Sequence, residues 1–234
     1  MTLIPFGPDL WIADGPVVEA AAGFHYPTRM VLVRLESGDL FVWSPVRISH
    51  ALQAEVDAIG PVRHLIAPNG LHHVFLADWL AVYPQARAHA APGLRQKRPD
   101  IAFATDLGDV ADEGWSDEIE QVVVANRITT EVVFFHRRSR TVLITDLLQQ
   151  FPSNWFSGWR AAVAWMDGMI ASEPCMPAKF RLAFLGRPAG RTALSRILAW
   201  PTDKIVMAHA PLVERGGRAL LSRAFARLSE PAGE

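Results

Sequence analysis

Three times in this chain of 234 residues, a short apolar run with the character of a buried strand stops on a side chain that can ligate a metal or carry a proton. Leu65, Ile66 and Ala67 lead into Asn69, His72 and His73. Leu143, Ile144 and Thr145 lead into Asp146, and the apolar residues 205–208 lead into His209. Strands of one packed sheet end along a common edge, where side chains sit on rigid supports and share a cleft. A fold for this chain therefore has to bring those three ends together. Imidazoles and a carboxylate are also the donors that a borderline metal such as zinc prefers.

The rest of the pattern alternates strands and helices. Apolar, β-rich runs at 10–13, 30–35 and 41–44 predict strands, the last two joined by a turn at 36–39. Residues 48–59 carry Leu52, Val56 and Ile59 at helical spacing, followed by a strand at 62–67 and the breaker Pro68, Asn69, Gly70. A second helix is expected over 73–82, a strand at 86–90 and a polar loop at 95–100. Strands are expected at 119–125, 131–136 and 141–145, with the basic turn at 137–140 reading as a solvated hairpin tip. Trp155, Trp159, Val163, Met166 and Ile170 mark one helical face. A helix at 192–200, a strand at 204–208 and a helix at 218–228 complete the chain. Strands, a strand–helix stretch, more strands and then helices predict two sheets packed face to face and flanked by helices. Composition shifts nowhere along the chain, so a single domain over residues 1–234 is expected.

Half of the residues are hydrophobic and a fifth are charged, with a formal net charge of −1. That excludes a disordered chain and gives no global attraction to nucleic acid or to an acidic membrane surface. Cys175 is the only cysteine, so no intramolecular disulfide can form and a reducing compartment is favoured. The first residues lack the basic segment of a secretory leader, and no apolar run approaches a membrane span. A cytoplasmic, bacterial-looking protein is expected. Nucleophile elbows, phosphate-binding glycine loops, dinucleotide fingerprints and Cys-x-x-Cys pairs are all missing from the sequence. His25, His50, His64, His89 and His136 lack a partner spacing, and surface or loop positions are expected for them.

The order of the polar strand ends resembles the metallo-β-lactamase superfamily, over roughly residues 5–228. Residues 145–148 look like its bridging-aspartate segment, 205–210 like its late-histidine segment, and 62–90 like its strand–motif–helix–strand layout. The resemblance implies an α/β (α+β) four-layer αββα sandwich of two mixed β-sheets flanked by helices. It departs from the family's H-x-H-x-D-H motif: with His73 on the last histidine, Pro68 and Gly70 replace the first two and His72 takes the aspartate position. Asn126 stands nearest to the middle histidine. One of the family's two metal sites is thus erased, while the other keeps His72, His73, Asp146 and His209. Neighbouring side chains point apart unless their loop is tight, so His72 and His73 reach one metal only in a tight loop. For Asp146 the plain alternative is a helix N-cap.

The resemblance implies a mononuclear metal-dependent hydrolase of a small ester, thioester, amide or phosphoester. Its cofactor would be one zinc, with iron or manganese as alternatives, and Asn69 and Asn126 would lie at its pocket. Four ligands would close a tetrahedral site and leave no position for water, so catalysis requires that only three bind or that the metal be five-coordinate. The other open reading is a protein that keeps the fold but no metal, binding a small ligand or a partner. In both readings the partner is a small molecule rather than nucleic acid or membrane.

Overall fold

The computed structural model describes residues 2–229. Its larger sheet contains β1 (Ile4–Gly7), β2 (Leu10–Asp14), β5 (Arg29–Arg34), β6 (Leu40–Trp43), β7 (Val62–Ala67), β8 (Arg87–Ala90) and β9 (Phe103–Asp106), in that spatial order. The first four strands pair antiparallel and the last three join in parallel. The smaller sheet orders β10 (Ile119–Ala125), β11 (Thr130–His136), β12 (Thr141–Gln149) and β13 (Lys204–His209), with only the last pair parallel. A two-stranded ribbon of β3 (Val18–Glu19) and β4 (His25–Tyr26) stands apart.

Alternation along the strands explains the layers. In β5, Met30 and Leu32 face one way, onto α1 (His50–Asp57), α2 (Leu76–Val82) and α3 (Leu94–Lys97). Val31 and Val33 face the other way, onto Val132 and Phe134 of β11 and Val206 of β13. The opposite face of the smaller sheet buries Val133, Phe135 and Met207 against Leu194 and Ile197 of α6 (Pro188–Ala199) and Phe225 of α7 (Gly217–Ser229). Strands covered on both faces need apolar side chains at successive positions, which is why they read as unbroken hydrophobic runs. The outcome is the expected αββα sandwich of two mixed sheets. Among the described residues, no helix is long and apolar enough to cross a membrane.

Several elements differ from expectation. The helix expected from residue 73 begins at Leu76, because residues 71–75 are taken up by a loop of turns and bends. The strand expected to stop before Asp146 runs on to Gln149, buried along its whole length. The aromatic face at 155–170 is helical only in α4 (Trp159–Met166), bounded by Gly158 and Gly168 with positive φ, a region that ends regular helix and favours glycine. Residues 95–100 contain most of the one-turn helix α3, anchored by buried Leu94. The edge strand β9 and the short α5 (Ala178–Ala183) were not expected, since each offers too few residues for a period.

The histidines also correct a reading. His64, His89 and His136, expected at the surface or in loops, are 5%, 0% and 0% exposed and lie in strands. Each has an internal partner: His64 Nδ1 lies 3.2 Å from His89 Nε2, His89 Nδ1 2.7 Å from Thr105 Oγ1, and His136 Nδ1 2.7 Å from Ser139 Oγ, while His136 Nε2 is buried without one. Burial pushes His89 down to about 3 and His136 down to about 4. Unfolded, both take a proton near pH 6.5, so their contribution to stability is present above that pH and is lost as pH falls toward 4. Urea denaturation should therefore show stability falling between pH 7 and 4.5 by on the order of 2–3 kcal/mol for each of these two histidines. His136→Gln should shrink the fall, and an unchanged midpoint over that range would overturn the account.

Candidate functional site

Asn69 joins the two sheets. It is fully buried just past the end of β7, and its side-chain Oδ1 accepts from the backbone N–H groups of Leu71 (2.8 Å) and His72 (2.9 Å). Those bonds bend residues 69–72 into a tight loop that carries the His72 imidazole inward. Asn69 Nδ2 donates to Thr145 Oγ1 (2.9 Å) and to Asp146 Oδ2 (2.5 Å) on β12. Asparagine suits this position because one planar amide offers an acceptor to the loop and donors to the strand.

Asp146 sits where β12 leaves its ladder. Pairing with β13 is regular from Thr141 to Ile144 and resumes only at Gln149 opposite His209. The freed N–H groups of Thr145, Asp146 and Leu147 are taken by the fully buried carboxylate of Glu131, at 2.5, 2.9 and 3.0 Å. Burial, and then the charge of Asp146, push Glu131 up to about 7. Burial also pushes Asp146 upward, but His209 and His72 outweigh it and hold this carboxyl well below the usual range. No helix follows Asp146, so the N-cap alternative does not arise.

His209 ends β13, and its Nδ1 donates to the Pro27 carbonyl (2.9 Å). A carbonyl can only accept, so the neutral ring carries its proton on Nδ1 and bares the Nε2 lone pair. His72 Nδ1 lies 2.8 Å from Ser44 Oγ. The two Nε2 atoms are 3.2 Å apart, His209 Nε2 is 3.3 Å from Asp146 Oδ1, and His72 Nε2 is 3.6 Å from Asp146 Oδ2. The three side chains are only 5–6% exposed. Burial keeps His72 neutral by lowering its pKa, against the opposing pull of Asp146.

The structure thus brings His72, Asp146 and His209 together and leaves His73 outside. His73 Nδ1 accepts from Arg98 Nη1 (2.9 Å), and burial with Lys97 and Arg98 pushes it down to about 4. The loop is tight, yet adjacent side chains still diverge. Asn126 closes its own turn, with Oδ1 accepting from Ile128 and Thr129, and makes no hydrogen bond to the cluster. Asn69 braces the cluster and is not among the residues lining the cleft beside His209. Ser44 and Glu131 escaped the sequence reading, although each left a signal. Ser44 is a fourth polar strand end, after β6, and Glu131 is a lone acid at the head of an apolar run. Ser44 also holds φ 51, uncommon for a residue with a side chain.

Beside His209 opens a cleft of ≈ 350 Å³, walled by Phe151, Trp155 and prolines. Phe151 stacks on the His209 ring (6.3 Å, 20°), and Tyr26 lies 5.2 Å from it. Burial, then Asp146 and Asp167, push the Tyr26 hydroxyl up to about 12.

Asn69→Leu should cost roughly 2–5 kcal/mol in urea denaturation, since it strands the N–H groups of Leu71 and His72 and uncovers Asp146 Oδ2. A wild-type midpoint in that variant would refute the bracing role.

Solved structures share this architecture. The metal-soaked Flv1 flavodiiron core from Synechocystis sp. PCC6803 aligns with a TM-score of 0.63 at 14% identity, over 97% of this chain and 60% of that one, so the chain spans well under two thirds of that core. A metallo-β-lactamase from Pontibacter korlensis aligns with a TM-score of 0.63 at 10% identity, over 98% of this chain and 99% of that one. FIM-1 from Pseudomonas aeruginosa, in its mono-zinc form, aligns with a TM-score of 0.58 at 12% identity, over 98% and 96%. At such identities the likeness is one of fold. No curated protein matches the chain. A family model described as a domain of unknown function, DUF4336, matches residues 19–157, more than half of the sequence, and the chain belongs to that family.

Proposed function

We propose that this protein is a mononuclear metal-dependent hydrolase of a small ester, thioester or related acyl compound, with His72, Asp146 and His209 as its ligands. The observation that carries the reading is the spacing of the donors. Four ligands placed tetrahedrally at the ~2.0–2.1 Å typical of zinc lie about 3.3 Å apart, and the donor separations here are 3.2, 3.3 and 3.6 Å. The outer nitrogens support it too: metal-binding histidines hand their second ring nitrogen to a carbonyl or similar partner, as His209 does to Pro27 and His72 to Ser44. With His73 turned away there are three protein ligands. Such a shell leaves a position open, as catalysis requires, where four would close it.

A divalent cation held there would supply Lewis-acid polarisation of a substrate carbonyl. The chain's own residues do the rest. Asp146 and the two imidazoles would hold the cation, while Asn69 fixes the Asp146 carboxylate and Glu131 the backbone that carries it. Phe151 and Trp155 offer the acyl group an apolar wall and exclude water from it. Tyr26, whose hydroxyl makes no hydrogen bond among the described residues, keeps its proton through the neutral range and is a donor beside the cluster.

The depth of the cluster favours a second reading, a ligand-binding protein without catalysis. Elemental analysis of protein purified without added metal or chelator separates the two. The hydrolase reading expects about one zinc, iron or manganese per chain, retained in His73→Ala and lost in Asp146→Ala and His209→Ala. Ser44→Ala should keep the site but weaken zinc binding roughly 10–100-fold, the usual cost of losing a ligand's outer partner. A wild type that takes up no metal, even after incubation with zinc, would overturn the hydrolase reading and leave the ligand-binding one.

A further inference from the structure

The cleft beside His209 has a polar corner that the cluster does not use. Arg29, at the start of β5, lines it with a side chain only 14% exposed. The guanidinium is fixed by three bonds. Its Nε donates to Asp14 Oδ1 (2.6 Å), and Nη1 donates to the carbonyls of Met207 and Ala210 (2.7 Å each), on either side of His209. Nη2 has no hydrogen-bond partner among the described residues, yet it is not one of the buried unpartnered atoms, so it keeps access to solvent. Trp155 holds its place by a reciprocal pair with His25, its indole N–H donating to the His25 carbonyl (3.0 Å) while its own carbonyl meets His25 Nε2 (3.1 Å). The cleft is therefore lined by both a rigid, charged N–H donor and an aromatic wall.

We infer that the cleft binds a monocarboxylate with an aromatic or branched apolar body, its carboxylate on Arg29 Nη2 and its body against Phe151 and Trp155. Charge-assisted donation to an ionised oxygen is stronger than donation to a neutral carbonyl. A phosphate dianion fits poorly, because it brings no apolar body to meet Phe151 and Trp155. The ligand counts as a substrate or product only if the cluster is the reactive centre proposed above; its binding needs no metal.

The test is calorimetric titration of phenylacetate, 2-phenylacetamide and inorganic phosphate into zinc-loaded and chelator-treated protein. Phenylacetate should saturate both forms with a Kd on the order of 1 mM, the scale open to so small a ligand. Phenylacetamide and phosphate should bind the chelator-treated form at least ~10-fold more weakly, as loss of the charged pair or of the apolar body demands. Arg29→Gln should remove the preference for acid over amide. Trp155→Ala, which leaves the Met207 and Ala210 carbonyls covered, should weaken both ligands. Equal affinity for acid and amide, or no saturable binding of phenylacetate to either form, would overturn the inference. A chain that binds phenylacetate but no metal would leave it standing while the hydrolase reading fails.

Discussion

A strand buried on both faces can display a carboxylate at its middle only if something takes the backbone N–H groups that it withdraws from the ladder. Here Glu131 takes three in succession, from Thr145, Asp146 and Leu147. Left unpaired in that interior, each would cost about 1–3 kcal/mol. The bulge of β12, the direction of Asp146 and the meeting of Asp146 with both histidines all follow from this one capture. Asn69 completes it from the other sheet, so the loop that carries His72 and the strand that carries Asp146 share a brace. Two carboxylates lie close together in this interior, and their surroundings drive them apart. Asp146 is held well below the usual carboxylate range, while burial and its neighbour's charge push Glu131 up.

The layers were legible from the sequence because strands covered on both faces must be apolar at successive positions, as residues 30–33 and 205–208 are. The meeting of Asp146, His209 and His72 was legible because each follows an apolar run that packs into one interior, although β12 runs on past Asp146 and His73 turns away. What stayed hidden depends on conformations that residue type does not encode. Whether His72 or His73 turns inward is decided by the two N–H groups that Asn69 captures, and an asparagine after a proline looks the same in any turn. Glu131 stayed hidden for a related reason, since an acid at the head of a strand reads as solvated until the bulge it faces is known. His64 and His89 were misplaced because two histidines 25 residues apart carry no visible spacing; parallel pairing of β7 with β8 makes them neighbours.

Departure from the two-metal motif also becomes intelligible. Pro68 and Asn69 stand where the motif begins, and they are occupied with structure: the Pro68 carbonyl accepts from Val132 (2.8 Å) and Asn69 spans the sheets. Asn69 falls between positions 68 and 70, which carry the first two histidines of that motif, and it is the residue that braces the two sheets. A brace of this kind lets one small site be built with few residues.

Charge balance is the strongest constraint on what the cluster holds. An ionised carboxylate buried to about a twentieth of its exposure is costly unless a cation answers it. Burial disfavours a charge on His72, and the Pro27 carbonyl holds the Nδ1 proton of His209 on the far side of its ring. A proton shared between the two Nε2 atoms would answer the charge, but it would satisfy a single pair of donors and leave Asp146 Oδ1 at 3.3 Å without one. A divalent cation answers the charge and all three lone pairs at once, at separations that need no rearrangement. His73 stands outside this balance: its partner is the Arg98 guanidinium, and a third imidazole would add no negative charge to answer a cation while closing the fourth position of a tetrahedral shell.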